Sequence, residues 1–272
     1  MDINIPQQIN TAIEAAYQAG KEILRVYHTE DFEVQTKWDN SPLTLADKQA
    51  HKIILNILKS THIPVLSEEG KSIPFEERAK WRYYWLVDPL DGTKEFIRRN
   101  GEFTVNIALI ENGIPVGGVV YAPCLNDLYF AAKNMGAFKT SVFNINFDEL
   151  NLDRLINISQ KLPVFDNKEK FTVVASRSHL NEETEKFIEG LKTQYDDIEF
   201  ISKGSSLKIV MVAEGRADLY PRFAPTMEWD TAAGHAIALY AGCEIMQEDG
   251  QTPLVYNKNE LLNPWFIVQR KG

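Results

Sequence analysis

The 272-residue chain predicts an α/β protein, with an α+β first half and an α/β second half. Three observations predict it. Apolar residues recur at helical spacing in two segments of the first sixty residues. Further on, Glu111-Asn112-Gly113 separates two apolar runs, which signals an antiparallel hairpin. From Phe171 onward, short apolar strands alternate with helical patterns, as in an α/β layer.

Taken in order, a helix is expected over about 8–27, where Ile9, Ile13, Ala16, Tyr17, Ile23, Leu24 and Tyr27 share one face. Residues 31–39 place Phe32, Val34 and Gln35 in strand-like surroundings before a loop at Trp38 to Pro42. A second helix over 44–59 buries Ala46, Ala50, Ile53, Ile54, Ile57 and Leu58, with Asp47 in its first turn. Pro64-Val65-Leu66 is a short strand that ends in Ser67-Glu68-Glu69-Gly70. The polar stretch Lys71 to Lys80 reads as a mobile loop. Tyr84-Trp85-Leu86-Val87 is a buried strand, Asp88 to Thr93 a turn, and Lys94 to Ile97 the opening of a helix. Residues 103–110 and 114–121 form the hairpin, and 127–132 with 136–139 a further strand pair. Polar residues become denser from Asn144 to Lys170, which divides the chain into domains at 1–150 and 151–272. Beyond that point strands 171–176, 198–202 and 217–220 alternate with helices 182–191, 205–214 and 230–241. No internal repeat is present.

Hydrophobic content of 44% and charged content of 25% are those of an ordinary globular protein. A net charge of −9 argues against a nucleic acid polymer as partner, though not against a small phosphorylated ligand in a local site. Cys124 and Cys243 suit neither a zinc cluster nor a disulfide framework, and are expected as small buried apolar residues. The first six residues lack the features of a secretory signal, and no run approaches the ~20 apolar residues that span a bilayer. The expectation is cytoplasmic. Peripheral association with the inner face of the cell membrane stays open, and oligomeric state is not legible.

The turn Asp88-Pro89-Leu90-Asp91-Gly92-Thr93 carries the chemistry. Two carboxylates three residues apart at a strand end suit a hard divalent cation such as magnesium. Gly92 and Thr93, at a helix start, offer backbone N–H groups and a hydroxyl to an anion. Asp47, Glu68 and Asp230 also stand at element ends, and each has an ordinary alternative role. Asp47 complements a helix dipole, Glu68 is a solvated loop acid, and Asp230 is an N-cap. Spacing alone does not bring these acids together.

Trp85 to Phe96 resembles the signature of the inositol monophosphatase superfamily of metal-dependent, lithium-sensitive phosphomonoesterases. Glu228-Trp229-Asp230-Thr231-Ala232-Ala233-Gly234 is similar to its second signature, and Ser67-Glu68-Glu69-Gly70 to its upstream acidic pair. Within the superfamily, Lys94-Glu95-Phe96, Arg98 to Ile110, Gly204 to Lys208, Ala213 to Asp218 and Tyr220-Pro221-Arg222 resemble the 3′(2′),5′-bisphosphate nucleotidase branch. Haloacid-dehalogenase phosphatases also have an Asp-rich motif ending in Thr. Their acids lie two apart after the first strand, whereas these lie three apart and begin at residue 88.

The resemblance implies a layered αβαβα sugar-phosphatase sandwich, with a metal-binding first domain and a substrate-binding second. It implies two or three magnesium ions held by Glu68, Asp88, Asp91, Asp230 and the Leu90 carbonyl, with Glu69 behind them. Asp47 and Thr93 would orient and deprotonate the attacking water, Thr93 as relay, without a phosphoenzyme. The Gly92 and Thr93 N–H groups, with Glu68, Leu90, Asp91 and Asp230 around them, would hold the transferring phosphate. Ser205, Lys208, Arg222 and His179 would contact the rest of a small phosphorylated nucleotide, although a lone His is as readily a surface residue. The implied reaction removes the 3′-phosphate of adenosine 3′,5′-bisphosphate, with its sulfated precursor form as a second substrate. An inositol monophosphatase is the rival activity, and a nucleotide sensor without catalysis the rival of another class.

Overall fold

The computed structural model describes residues 3–29, 34–36, 42–143, 151–164, 170–176 and 181–271. The expected strand residue Phe32, the loop residue Trp38 and His179 lie outside these residues. In chain order, α1 (Ile5–Tyr27) is followed by the paired short strands β1 (Gln35–Thr36) and β2 (Pro42–Leu43), then α2 (Leu45–Leu58) and β3 (Val65–Ser67). Next come α3 (Phe75–Arg78), β4 (Tyr83–Asp91), α4 (Thr93–Ile97) and a meander of β5 (Thr104–Glu111), β6 (Ile114–Ala122), β7 (Asp127–Ala132) and β8 (Gly136–Ser141). After α5 (Leu152–Ile158) and β9 (Gln160–Lys161), the chain forms β10 (Phe171–Ser176), α6 (Glu182–Leu191), β11 (Ile198–Lys203) and α7 (Leu207–Glu214). It ends with β12 (Leu219–Arg222), α8 (Glu228–Tyr240), β13 (Cys243–Gln247) and β14 (Phe266–Arg270).

Strands β3 to β9 form a seven-stranded sheet in sequence order, antiparallel except for the parallel pair β3–β4. The second sheet has the order β11-β10-β12-β14-β13. Strand periodicity of two separates the faces. Odd residues of β4 and β5, among them Trp85, Val87, Val105 and Ile107, pack with α1 and α2. Even residues Tyr84, Leu86, Ala108 and Ile110 join α7, α8 and the inner face of the second sheet. The outer face of that sheet, through Val173, Leu219 and Ile267, meets Phe187 and Leu191 of α6. The layers are therefore αβαβα. Helix α8 lies close against the first sheet because Gly118 has no side chain; a Cβ there would sit 2.6 Å from the Ala233 carbonyl.

Several element boundaries differ from expectation. The stretch 71–80 contains α3, and its Arg78 is buried and donates to the Ile73 carbonyl, Asn257 Oδ1 and the Lys258 carbonyl. Those bonds tie a stretch that composition marks as a free loop. The helix expected from Ser205 starts at Leu207, since Ser205 has a positive φ of 55°. The strand expected over 217–220 runs from Leu219 to Arg222, and β13 and β14 were not expected at all. The change from the first sheet to the second falls between Lys161 and Phe171, because β9 still pairs with β8. Cys243 is buried and Cys124 half-buried, with both thiols pushed up to about 11 by burial.

Candidate active site

The turn after β4 is built by a bulge. Asp88 pairs with Asn106 of β5, and Asp91 pairs with Thr104, so three steps on β4 oppose two on β5. In a regular strand, residues three apart point to opposite faces. The extra residue, in the Pro89-Leu90 segment, returns Asp91 to the face of Asp88. That is the even face, covered by α8. The Leu90 N–H closes the turn on Asp88 Oδ1 at 3.0 Å. Gly92 then adopts φ 90°, a conformation that favours glycine, and the chain enters α4.

Asp47 and Asp230 arrive at the site by the same local device. Each is the third residue of its helix and accepts a hydrogen bond from the N–H of the capping residue: Asp47 Oδ2 from Thr44 at 2.7 Å, Asp230 Oδ2 from Met227 at 2.8 Å. Asp230 is thus inside α8 rather than its N-cap, because Met227 takes the cap position. The cap occupies one oxygen of each carboxylate and fixes its rotamer. On Asp47 the other oxygen accepts from Thr93 Oγ1 at 3.2 Å, and that hydroxyl also lies 3.3 Å from the Leu90 carbonyl. Asp47 is buried, so the Asp47–Thr93 pair is shielded from bulk water.

Glu68, at the end of β3, reaches the same place because β3 lies parallel to β4. Ligand oxygens of Glu68, Asp88 and Asp230 lie within 4.8 Å of one another. Burial holds the Asp88 carboxyl well above the ordinary carboxylate range, and Glu68, Asp91 and Asp230 add to the shift. The Asp230 carboxyl is raised for the same reason, by burial first and then by Asp91 and Glu68. Asp88 makes no ion pair among the described residues. An all-oxygen cluster of mutually repelling acids fits a hard divalent cation. Asp91 stands outside the tight group, with Oδ2 turned to Ser205 Oγ at 2.6 Å and to the Ser206 N–H at 2.7 Å.

A cavity of about 340 Å³ opens from Asp91, Gly92 and Asp230 toward Lys208, Tyr220 and Arg222. Lys208 is buried and donates to the Ser205 carbonyl at 2.7 Å; burial pushes its pKa down to about 8. Arg222 donates to the Pro225 carbonyl, while its Nε is buried with no hydrogen-bond partner among the described residues. Acids and cations share the cavity wall, since Glu95, Arg98, Glu102 and Lys203 line it as well. The structure brings Glu68, Asp88 and Asp230 together, with Asp91 beside them, and joins Asp47 to Thr93 and the Leu90 carbonyl at the same turn. Ser205 touches Asp91 directly, and Lys208 and Arg222 line the cavity beside it.

Sequence reasoning missed Thr104, Asn106 and Ser206, which surround Asp91. It also missed Glu102, which accepts from the Gly204 N–H at 2.9 Å and the Lys203 ammonium at 3.2 Å, closing the cavity rim. One signal was available. Thr104 and Asn106 are polar residues at alternate positions of an otherwise apolar strand, and fully buried polar side chains need partners.

A sequence model described as the inositol monophosphatase family matches residues 5–269. The 3′(2′),5′-bisphosphate nucleotidase CysQ of Shigella flexneri is 46% identical over 264 residues, covering 96% of this chain and 98% of that protein. The crystal structure of CysQ from Bacteroides thetaiotaomicron superposes with a TM-score of 0.90 at 54% identity, with 96% of each chain covered. The extragenic suppressor protein SuhB of Bartonella henselae superposes with a TM-score of 0.72 at 25% identity, covering 97% of this chain and 94% of that one.

Proposed function

This chain belongs to the inositol monophosphatase family, and from that premise we propose that it is a magnesium-dependent 3′(2′),5′-bisphosphate nucleotidase. Its reaction is hydrolysis of the 3′-phosphate of adenosine 3′,5′-bisphosphate to AMP and phosphate, with the sulfated precursor form as a second substrate. The observation that carries the reading is one cavity that holds both acids and cations. Asp91 and Asp230 line it beside an acid cluster that could hold a cation, and it also holds buried Lys208 and Arg222, whose Nε has no hydrogen-bond partner among the described residues. A ligand with two phosphates satisfies both sets of groups: one phosphate through a metal, one through fixed cations.

Family membership makes metal dependence the coarse expectation, and the donor set fits it. Glu68, Asp88, Asp91, Asp230 and the Leu90 carbonyl are the residues that would hold two or three magnesium ions. Magnesium, when bound, supplies Lewis-acid polarisation of phosphate oxygens and lowers the pKa of water. The chain's own residues supply the proton path. The Thr93 hydroxyl donates to Asp47 Oδ1, which leaves its lone pairs to accept a proton from the attacking water. Asp47, held by Thr44 through its other oxygen, receives that charge without turning. Gly92 and Thr93 present N–H groups to the transferring phosphate. Ser205, Lys208 and Arg222 position the remainder of the nucleotide, and His179 is assigned to the base.

The test compares turnover of adenosine 3′,5′-bisphosphate with that of inositol 1-phosphate at saturating magnesium. A clear preference for the bisphosphate is expected. Preference for the inositol phosphate overturns the substrate assignment. Tight nucleotide binding without phosphate release overturns the enzyme reading in favour of a sensor.

A further inference from the structure

Asp91 is the carboxylate of the site held most elaborately by uncharged groups. Its Oδ2 receives Ser205 Oγ at 2.6 Å, the Ser206 N–H at 2.7 Å, Ser206 Oγ at 2.8 Å and Asn106 Nδ2 at 3.3 Å. Ser206 Oγ also lies 3.0 Å from the Asp230 carbonyl and accepts from Asn106 Nδ2 at 2.7 Å. Asn106 in turn is backed by Thr104, whose hydroxyl lies 2.9 Å from Asn106 Oδ1. Asn106 is fully buried and Ser206 is 3% exposed. Neither side chain has a role in the reaction described above.

Hydrogen bonds of this kind constrain one oxygen of Asp91 and leave the other for a cation. They also tie the Asp91 carboxylate to the backbone of Asp230, 139 residues away in the chain, since Ser206 touches both. An outer partner that fixes a ligand's rotamer removes the entropy the ligand would otherwise lose on binding metal. A serine or asparagine does so without neutralising the carboxylate, as a lysine would.

We propose that Asn106 and Ser206 are positioning residues that lock Asp91 and set its distance from Asp230, and so govern the affinity of the site for divalent cation. Ser206 holds Asp91 directly. Asn106 acts both on Asp91 and through the Ser206 hydroxyl. The inference rests on the reading of Asp91 as a metal ligand. It does not depend on which phosphate ester is hydrolysed.

The experiment titrates the metal-stripped full-length protein with Mn2+ and follows free ion by electron paramagnetic resonance, with no substrate present. Ser206→Ala removes one hydroxyl and keeps the backbone N–H. Asn106→Leu removes both donors at nearly constant shape, and stands in if the first variant does not fold. Each is expected to weaken Mn2+ binding by about 10- to 100-fold, while the melting temperature of the metal-free protein moves little. A merely structural role would lower the melting temperature and leave the affinity of the folded protein unchanged. Mn2+ affinity within twofold of the parent in both folded variants overturns the proposal. A parent that binds Mn2+ tightly yet prefers inositol 1-phosphate sinks the substrate assignment alone. A parent that binds no Mn2+ removes Asp91 as a ligand and this inference with it.

Discussion

Glu228 and Asp230 stand two residues apart at the start of α8 and meet opposite surroundings. Glu228 has no exposure and accepts from the Lys258 ammonium at 2.6 Å, from the Asn257 N–H at 2.7 Å and from the Lys258 N–H at 3.0 Å. Asp230 faces Asp91, Glu68 and Asp88. The first acid is neutralised within the chain and pins the 255–263 segment to α8. The second belongs to a group that repels itself. Buried charges are tolerated only when compensated, so the difference separates a strut from a binding site. Glu214 sorts with Glu228: it is buried, and Lys139, Arg216 and the Tyr129 hydroxyl all reach it.

The largest expected effect comes from removing a charge on the uncompensated side. Asp88→Asn should lower magnesium-dependent turnover by about 10³-fold or more, on the order of 4 kcal/mol of transition-state stabilisation. The metal-free variant should melt no lower than the parent, because one of the mutually repelling carboxylates is gone. Steady-state kinetics with calorimetry checks both halves, and normal turnover would move Asp88 into the class of Glu228.

His235 marks a third solution, burial without charge. It hydrogen-bonds the Tyr256 hydroxyl at 2.9 Å, and burial lowers its pKa from 6.5 to about 4. A folded-state pKa below the unfolded one contributes stability that is present above pH 6.5 and lost as pH falls toward 4. The loss is on the order of 3 kcal/mol. Urea midpoints measured between pH 7.5 and 4.5 should fall in the parent and less steeply in His235→Gln. Equal slopes would exclude this group.

On the compensated side, Glu228→Gln should cost about 2 kcal/mol of stability, the range for hydrogen bonds to a charged group. The magnesium concentration for half-maximal activity should stay within twofold of the parent. A large rise in that concentration would erase the contrast between the two acids. The smallest effect concerns a cation of the cavity wall. With its pKa near 8, Lys208 loses its charge as pH rises from 7 to 9. The KM for the bisphosphate should rise about tenfold across that interval, equivalent to ~1.4 kcal/mol. Lys208→Met should raise KM at pH 7 and flatten the profile; a profile as steep as the parent's would assign the titration elsewhere.

Much of the fold was legible because its elements announce themselves locally. The stripes of α1 and α2, the Asn112-Gly113 hairpin and the strand–helix alternation after Phe171 all match elements of the structure. Less legible were β13 and β14, short strands that extend the second sheet beyond β12, β14 pairing with β12 and β13 with β14. Arg78 was hidden for a similar reason: its partners lie about 180 residues away, so its own neighbourhood reads as a polar loop. In the site, Glu68, Asp88, Asp91, Thr93 and Asp230 were visible as motif residues, and Asp47 only through the family resemblance. Asn106 and Ser206 stood in stretches that carry the resemblance but had no assigned role, since a buried asparagine in a strand looks like a flaw until its partner is known.

The sequence by itself determined the chemical inventory: acids at strand ends and helix starts, a glycine where φ must be positive, and Lys208 and Arg222 in the second half. It also determined the local geometry that needs no distant partner, such as the capping of α2 by Thr44 and Asp47. Only the tertiary structure decided which way those groups face. The bulge at Pro89-Leu90 turns Asp91 to the side of Asp88, and α8, seated on Gly118, delivers Asp230 opposite them. The reason is physical. Side-chain direction in a strand alternates with every residue, so one inserted residue reverses it, and whether a buried carboxylate is paired or exposed to its like depends on chain segments more than a hundred residues away.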